Sequence, residues 1–359
     1  MRGSIKHLTN LLRSERRRSE TISLEPLKAE WALTGVCNAG CLTCIHWQNR
    51  EDEKPLTFAE GRGLITQLAD LGLRELTFTG GEPLLRKDLS ELVAFAKSKS
   101  LTVSLETNGL LLTERCAREL VDAGLDAVYV SIDAADAEVN DRLRGLNGYF
   151  DLAMAAMDNL KAMRRNADPK IFIRTTVTVE NQNQLVPLAQ LAKTKGIEGF
   201  GFQLAQLVES AGFVFDRSLL VQNNDPTVLL KQLNELLNQH AGFLTGSLEY
   251  YRTLRNYVQN PEYFKEPRLF SGFSYVYIDA CGGVFDSPLK GRKLGSLREQ
   301  SFQEIWFGEK AAESRRNPDA NFIHSYLFES VANSGRKGQG RKRNPFVKLV
   351  EPIISGSKV

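Results

Sequence analysis

The sequence has few cysteines and no long apolar run. Its 359 residues include five cysteines, an odd number, and no apolar stretch approaches the roughly 20 residues that cross a bilayer. No N-terminal stretch combines a basic flank, an apolar core and a small-residue cleavage site, so no export signal is visible. These absences favour a cytoplasmic protein, in which clustered thiols are more often a metal or redox site than a set of disulfides.

Charge is distributed unevenly along the chain. The formal net charge is +3, with +4 in residues 1–20, +6 in residues 331–359 and −7 between them. Apolar residues accompany the basic residues at each end, and this combination favours peripheral contact with an anionic membrane. A solvated tail explains the same composition. Nucleic acid is the weakest interpretation, because no recognised binding module accompanies the charge.

Between the basic ends, short β-type runs alternate with longer helical patterns. Six candidate strands lie at residues 30–36, 75–80, 101–107, 127–133, 171–179 and 199–205. A helix is predicted from Thr57, because Glu60 follows three residues later in a capping-box pattern. The alternation predicts α/β units on a parallel sheet, and its spacing suits either a partial barrel or a doubly wound sheet. Both folds collect functional residues at the carboxyl ends of the strands.

Three of the five cysteines lie within eight positions after the first predicted strand. Cys37, Cys41 and Cys44 have a C-x3-C-x2-C spacing, which can place three thiolates around one face of a metal centre. A zinc site needs a fourth ligand, for which His46 is the local candidate. A cubane iron–sulfur cluster usually takes four thiolates, so three would leave one iron open to a ligand that is not protein.

The triplet CNAGCLTC, followed about 35 residues later by GGEP at the end of the second strand, resembles the radical S-adenosylmethionine (radical SAM) superfamily. The resemblance implies a partial (β/α)6 barrel in which the three cysteines hold one [4Fe–4S] cluster. It also implies that the amino and carboxylate groups of S-adenosylmethionine (SAM) bind the open iron. Gly80 and Gly81 then let the backbone approach the methionine moiety, and Glu82 helps to hold its ammonium group.

Two later segments extend the resemblance along the chain. ETNG at residues 106–109 and VSIDAADAEVNDRLRG at residues 130–145 are similar to the ends of strands three and four in the family. By this match Asn108, Ser131 and Arg144 position SAM, with Ser131 and Arg144 reaching its carboxylate or ribose. Thr43 departs from the pattern, because an aromatic residue often precedes the third cysteine.

After residue 210 the alternation stops. A hairpin-like segment at 275–286 and a segment at 294–316 resemble the C-terminal extension of SPASM and twitch-type radical SAM enzymes, which bind auxiliary clusters through extra cysteines. Ser287 and Pro288 occupy the corresponding neighbourhood, and no cysteine follows Cys281. The chain is therefore expected to hold one cluster and to keep a degenerate extension as a smaller α+β cap. Cys281 is a candidate hydrogen-atom donor to a substrate radical.

Cys116 has a different interpretation. It lies on a predicted helix with leucines four residues to either side, so it is expected to fill space in the core.

The predicted domains are a basic N-terminal segment (1–29), a radical SAM core (30–210), the degenerate extension (211–330) and a basic tail (331–359).

The resemblance also implies the reaction. A flavodoxin or ferredoxin reduces the cluster, SAM is cleaved, and a 5′-deoxyadenosyl radical removes a hydrogen atom from the substrate. The sequence favours a small molecule such as a sugar, cyclitol or lipid precursor, because the roughly 30 residues before the first strand are few for a leader-peptide recognition domain. A peptide is the main alternative substrate. A non-catalytic iron–sulfur or zinc-binding protein is the third hypothesis.

Overall fold

The structure is a computed structural model. It describes residues 25–44, 54–205, 217–221, 224–246, 248–260, 275–287 and 291–316. The zinc-ligand candidate His46 and the two basic ends lie outside these residues, so the predictions about them stay predictions. Among the described residues, no helix combines the length and the apolar character that a membrane span requires.

Strands and helices alternate through the first two thirds of the chain. The strands are β1 (Lys28–Ala32), β2 (Glu75–Thr79), β3 (Thr102–Thr107), β4 (Ala127–Ser131), β5 (Lys170–Val177), β6 (Gly199–Leu204), β7 (Tyr275–Ile278), β8 (Gly283–Phe285) and β9 (Lys293–Ser296). The helices are α1 (Phe58–Asp70), α2 (Leu89–Ser98), α3 (Glu114–Asp122), α4 (Ala137–Arg144), α5 (Tyr149–Met163), α6 (Leu185–Lys195), α7 (Thr227–Gln239), α8 (Leu248–Gln259), α9 (Phe302–Phe307) and α10 (Glu309–Arg316).

The strands form one sheet in the order β6-β5-β4-β3-β2-β1-β7-β8-β9. Strands β1 to β6 are parallel and follow the chain order, and β7 is parallel to β1 on its other side. Strands β7 and β8 form the antiparallel hairpin that the sequence predicts at residues 275–286. The C-terminal part therefore joins the first six strands edge to edge through β7, an attachment that the sequence pattern does not predict.

The two faces of the sheet differ in chemistry, because successive side chains of a strand point to opposite faces. Trp31 and Phe78 are fully buried and in ring contact, and Trp31 also packs against Gly61 of α1. Glu30 and Glu106 belong to the opposite set. We call this set the polar face; its polar members include Lys28, Glu30, Thr77, Thr79, Ser104, Glu106, Tyr129, Ser131, Arg174, Thr176 and Gln203.

A doubly wound sheet has helices on both faces, so the side chains of its strands are apolar on both faces. Here the apolar alternate positions of β1 to β6 all belong to one core with the helices, whereas the polar face carries charged and hydroxyl groups. The fold is therefore α/β with an open, partial barrel, which resolves the choice that the strand spacing leaves open.

Local signals explain several element boundaries. Helix α1 begins with the predicted capping box, in which Glu60 N donates to Thr57 Oγ1 at 3.3 Å and Thr57 N donates to Glu60 Oε2 at 2.7 Å. Strand β1 ends at Ala32, earlier than the sequence predicts, although Leu33 N still donates to Thr79 O of β2 at 2.8 Å. Helix α8 begins at Leu248, after Leu244 has paired with Phe200 of β6.

Candidate functional site

The loop that carries the three clustered cysteines leaves the carboxyl end of β1. We call residues 37–44 the cysteine loop and residues 80–82, which follow β2, the glycine turn. Gly81 N donates to Thr34 O at 2.7 Å, and Glu82 N donates to Val36 O at 2.9 Å. The chain just before the cysteine loop is thus bonded directly to the glycine turn, as their positions at neighbouring parallel strand ends predict.

The glycines of the turn are required by this close approach. A Cβ on Gly81 would lie 2.1 Å from Val36 O, and a Cβ on Gly80 would lie 2.5 Å from Thr34 O. Gly80 also has a φ of +132°, a conformation that side chains with a Cβ rarely adopt. The two glycines therefore set the distance between the glycine turn and the backbone that leads into the cysteine loop.

None of the three cysteines of the cysteine loop is in a disulfide. Cys41 is buried, and Cys37 and Cys44 are partly buried. Burial raises the pKa of the Cys37 thiol, and the nearby Glu82 carboxylate and Cys41 raise it further. In the described part of the chain, no three His, Cys, Asp or Glu side chains are grouped to hold a single metal ion. A cubane needs no such convergence, since each thiolate binds a different iron atom.

Two polar side chains point N–H groups at these sulfurs. Asn108 Nδ2 lies 3.8 Å from Cys37 Sγ and donates to Asn38 Oδ1 at 2.7 Å. Arg144 Nη1 lies 3.8 Å from Cys41 Sγ. Both residues are predicted from the sequence as SAM-positioning groups, and the structure brings both to the cysteine loop.

Glu82 connects the glycine turn to the end of β3. Its side chain is fully buried; Oε1 accepts from Thr107 Oγ1 at 2.7 Å and from Leu84 N at 2.9 Å, and Oε2 accepts from Asn108 N at 2.8 Å. Burial raises its pKa to about 7 against the lowering effect of these donors. An ionised carboxylate has about four lone-pair sites, so Oε2 retains capacity for one more donor, such as an ammonium group.

The sequence interpretation assigned no role to several residues that fix the site. Asn181 ties two strand ends together, because its Nδ2 donates to Asp133 O at 2.8 Å and to Thr176 O at 3.0 Å. Tyr149 donates to the Ser131 backbone oxygen at 3.0 Å. The predicted SAM contact Ser131 itself lies at the carboxyl end of β4, partly exposed on the polar face.

The two remaining cysteines lie apart from the cysteine loop in sequence. Cys281 is partly buried in the β7–β8 turn, where its N–H donates to Asp279 Oδ1 at 2.9 Å. Because β7 runs parallel to β1, this turn lies at the same edge of the sheet as the cysteine loop. Cys116 is partly buried against the core, as predicted, and burial raises its pKa to about 11.

The polar face carries a buried carboxylate of which one oxygen accepts no hydrogen bond. Glu30 is only 3% exposed; its Oε2 accepts from Tyr275 Oη at 2.8 Å, but Oε1 accepts no hydrogen bond and lies 3.7 Å from Lys28 Nζ. Burial raises its pKa to about 7; Glu106 adds to the rise, whereas Lys28 and Arg174 oppose it. The polar face thus combines two carboxylates with two cations, and strand β7 contributes a tyrosine to it.

The raised pKa values of Glu30 and Glu82 predict a pH-dependent stability. Between their ordinary pKa of 4.5 and about 7, the folded protein holds protons that the unfolded chain has released. The free energy of unfolding of the metal-free protein should therefore fall as pH rises from about 5 to about 7, by on the order of 1 kcal/mol per pH unit for each carboxyl, and level off above.

Urea denaturation of the metal-free protein at successive pH values measures this slope. Glu30→Gln should reduce this slope by the contribution of one carboxyl group. Glu313→Gln, at an exposed position on α10, is the matched control and should leave the slope unchanged. An unaltered slope in E30Q would contradict the assignment.

The site suits the cofactor set of the family that the sequence resembles. Three cysteines that form no disulfide lie on one loop, and thiolates are the ligands that iron–sulfur clusters require. The glycines beside them hold two backbones closer than any Cβ allows. The residues present therefore fit a [4Fe–4S] cluster with SAM beside it.

Comparisons with known proteins agree with this geometry. Residues 31–192 match the family model described as the Radical SAM superfamily. An AdoMet-dependent heme synthase of Methanosarcina barkeri is 29% identical over 310 residues, which are 82% of this chain and 86% of that protein. The mycofactocin maturase MftC of Mycolicibacterium smegmatis is 35% identical over 174 residues, which cover 48% of this chain and 43% of MftC.

Solved structures resemble the chain in fold. The crystal structure of Streptococcus suis SuiB bound to S-adenosylmethionine superposes with a TM-score of 0.66 at 16% identity, covering 92% of this chain and 76% of SuiB. This likeness concerns the arrangement of helices and strands, and it extends beyond the residues that the family model matches.

Proposed function

Because the chain belongs to the radical SAM superfamily through residues 31–192, and is therefore an enzyme that uses a [4Fe–4S] cluster and SAM, we propose that Cys37, Cys41 and Cys44 are the ligands of that cluster. The observation that carries the proposal is the direct bonding between the backbone before the cysteine loop and the glycine turn. Three protein ligands leave one iron for SAM. With no second group of cysteines, one cluster per chain is expected.

When bound, these cofactors supply a 5′-deoxyadenosyl radical that removes a hydrogen atom from the substrate, and a flavodoxin or ferredoxin is the proposed electron donor. The chain's own residues hold and orient the reactants. Glu82 offers a carboxylate lone pair to the SAM ammonium group, and Gly80 and Gly81 let the methionine moiety lie against backbone. Ser131 and Asn108 complete the proposed contacts to SAM.

We place the substrate on the polar face. Enzymes built on β/α barrels bind their substrates at the carboxyl ends of the strands. Buried polar atoms are almost always hydrogen-bonded, so Glu30 Oε1 marks a position where a substrate N–H or O–H group can bind. Tyr275 from β7 donates to the same carboxylate. Residues 211–330 therefore contribute to the proposed substrate contacts, whereas residues 30–210 carry the radical chemistry.

The substrate class supported best is a peptide. Glu30 and Glu106 can accept from amide or ammonium N–H groups, and Arg174 can pair with a carboxylate. The name of the MftC relative, a maturase, supports the same class. A sugar, cyclitol or lipid precursor, which the sequence favours, has no counterpart among these relatives.

A tetrapyrrole is the second candidate. The heme synthase relative aligns with 82% of this chain, whereas MftC aligns with 48%. A protein named Fe-coproporphyrin III synthase, from the same archaeon, aligns with 77%.

The test uses the anaerobically reconstituted, reduced protein with SAM. We expect 5′-deoxyadenosine to form, and a peptide encoded beside the gene to increase its rate of formation and to change in mass. Fe-coproporphyrin III should leave both the rate and its own absorption spectrum unchanged. A shifted porphyrin spectrum with faster 5′-deoxyadenosine formation would replace the peptide by a tetrapyrrole, and no 5′-deoxyadenosine under any condition would contradict the proposed function.

Cys281 remains a candidate hydrogen-atom donor. Its turn lies at the strand edge that carries the cysteine loop, and free cysteines are mostly structural, so position alone does not assign the role. Substrate consumption that stalls at a radical or by-product in Cys281→Ala would support it. Unchanged product formation in that variant would make Cys281 a loop residue.

A further inference from the structure

The carboxyl end of helix α4 is docked onto the cysteine loop through the backbone. Leu42 N donates to Leu143 O at 2.9 Å. Gly145, which ends the helix with a φ of +67°, approaches so closely that a Cβ there would lie 2.2 Å from Gly40 O. Two separate backbone contacts therefore fix the position of this helix end relative to the thiols.

Between these contacts, Arg144 is held in one orientation. Its Nε lies 2.8 Å from Asp133 Oδ2, and Asp133 is 2% exposed and accepts from Thr176 N at 2.8 Å. The guanidinium group also lies over the Tyr149 ring, 5.7 Å from the ring centroid. The ion pair with Asp133 thus orients the guanidinium group, whose Nη1 lies 3.8 Å from Cys41 Sγ.

We propose that Arg144 is an outer-sphere residue of the cluster that donates to the Cys41 thiolate and raises the cluster's reduction potential, with Asp133 as its positioning residue. The proposal rests on the proposed function, because it requires Cys41 to be a cluster ligand. It assigns Arg144 a contact that differs from the SAM carboxylate or ribose contact implied by the family resemblance.

The direction of the effect follows from electrostatics. Reduction adds negative charge to the cluster, and part of that charge resides on the ligand sulfurs. A hydrogen bond from a cation to such a sulfur is stronger in the reduced state, so it favours reduction. Low exposure of both Arg144 and Asp133 limits screening by water and salt.

The experiment compares Arg144→Gln with Arg142→Gln in the reconstituted full-length protein without SAM. Arg142 lies on the same helix and pairs with Glu180 at 2.8 Å, but its side chain is 53% exposed. Each variant therefore removes one positive charge from α4, and only R144Q removes the contact to sulfur. The midpoint potential is measured by a redox titration followed by electron paramagnetic resonance.

We expect the midpoint of R144Q to be more negative, with the reduced-to-oxidised ratio at a fixed potential lowered roughly tenfold, which corresponds to about 59 mV for a one-electron couple. R142Q should match the wild type. An R144Q midpoint equal to that of the wild type would overturn the proposal, and weakened SAM binding in the same variant would then assign Arg144 to SAM.

A second variant separates the effect of losing the sulfur contact from the effect of the unpaired Asp133 carboxylate. R144Q leaves the Asp133 carboxylate buried without its partner, which is destabilising, so the double variant Asp133→Asn/Arg144→Gln removes both charges. A midpoint that stays low in the double variant supports the sulfur contact, and a return to the wild-type midpoint overturns it. Failure of the wild type to acquire any cluster would instead refute the proposed function.

Discussion

Cys37→Ala, Cys41→Ala and Cys44→Ala are each expected to abolish 5′-deoxyadenosine formation and to lower iron from about four atoms per chain to a small fraction of that. Each substitution removes one of the three proposed protein ligands of the cluster. The loss of activity should exceed the roughly 10- to 100-fold effects typical of second-shell substitutions at metal sites. Iron and sulfide analysis after anaerobic reconstitution, together with the 5′-deoxyadenosine assay, measures both quantities.

Cys116→Ala is the matched control for these variants. It makes the same chemical change on helix α3, where the thiol packs against the core, and it should retain the full iron content. Equal iron loss in C116A and C41A would show that the loss reflects instability. Full iron content in any one of the three loop variants would remove that cysteine from the ligand set, and about eight irons in the wild type would overturn the single-cluster prediction.

Gly81→Ala is expected to lower both stability and cluster content. The added Cβ would lie 2.1 Å from Val36 O, and this carbonyl cannot move without displacing the residue that follows it, Cys37. Overpacking of this kind lowers the free energy of unfolding by up to about 3 kcal/mol. Denaturation of the metal-free protein measures the stability, and iron content after reconstitution reports on the cysteine loop.

Gly63→Ala supplies the comparison. Gly63 lies in helix α1, and a Cβ there would meet nothing within 4 Å. Alanine is favoured over glycine inside a helix, so G63A should gain about 1 kcal/mol and retain its iron. A G81A protein as stable as the wild type and equally loaded with iron would contradict the assigned role of the glycine turn.

Much of this arrangement follows from local sequence. The spacing of Cys37, Cys41 and Cys44 after a strand, and of Gly80 and Gly81 after the next, predicts that both groups share one sheet edge, because neighbouring parallel strands end at the same edge. The structure joins them by backbone hydrogen bonds. Helix starts with a capping residue were predictable for the same reason: their signals are confined to a few consecutive residues.

The sequence also indicates that helices cover only one face of the sheet, although the spacing of the strands does not show this. Glu30, Glu106 and Arg174 lie in β1, β3 and β5 at positions that alternate with apolar residues. A parallel strand that is buried on both faces would be apolar at nearly every position. Charged residues with this period therefore indicate a polar face, and a search for them would have found the proposed substrate-binding surface.

Contacts between distant parts of the chain were not predictable in this way. The pairing of β7 with β1 joins residues 247 positions apart, and the contact between Arg144 and Cys41 spans 103 positions. Family resemblance implied a role for Arg144 toward SAM. The ion pair with Asp133 and the approach to sulfur depend on how helix α4 docks, which no local pattern encodes.

The central claim is that three thiolates leave one iron atom free for SAM. Electron–nuclear double resonance on the reduced, reconstituted protein tests it directly, with SAM isotopically labelled in its amino nitrogen. We predict a magnetic coupling between the label and the cluster in the wild type. A cluster that shows no coupling to the label at saturating SAM, because a fourth protein ligand occupies that iron, would contradict the claim.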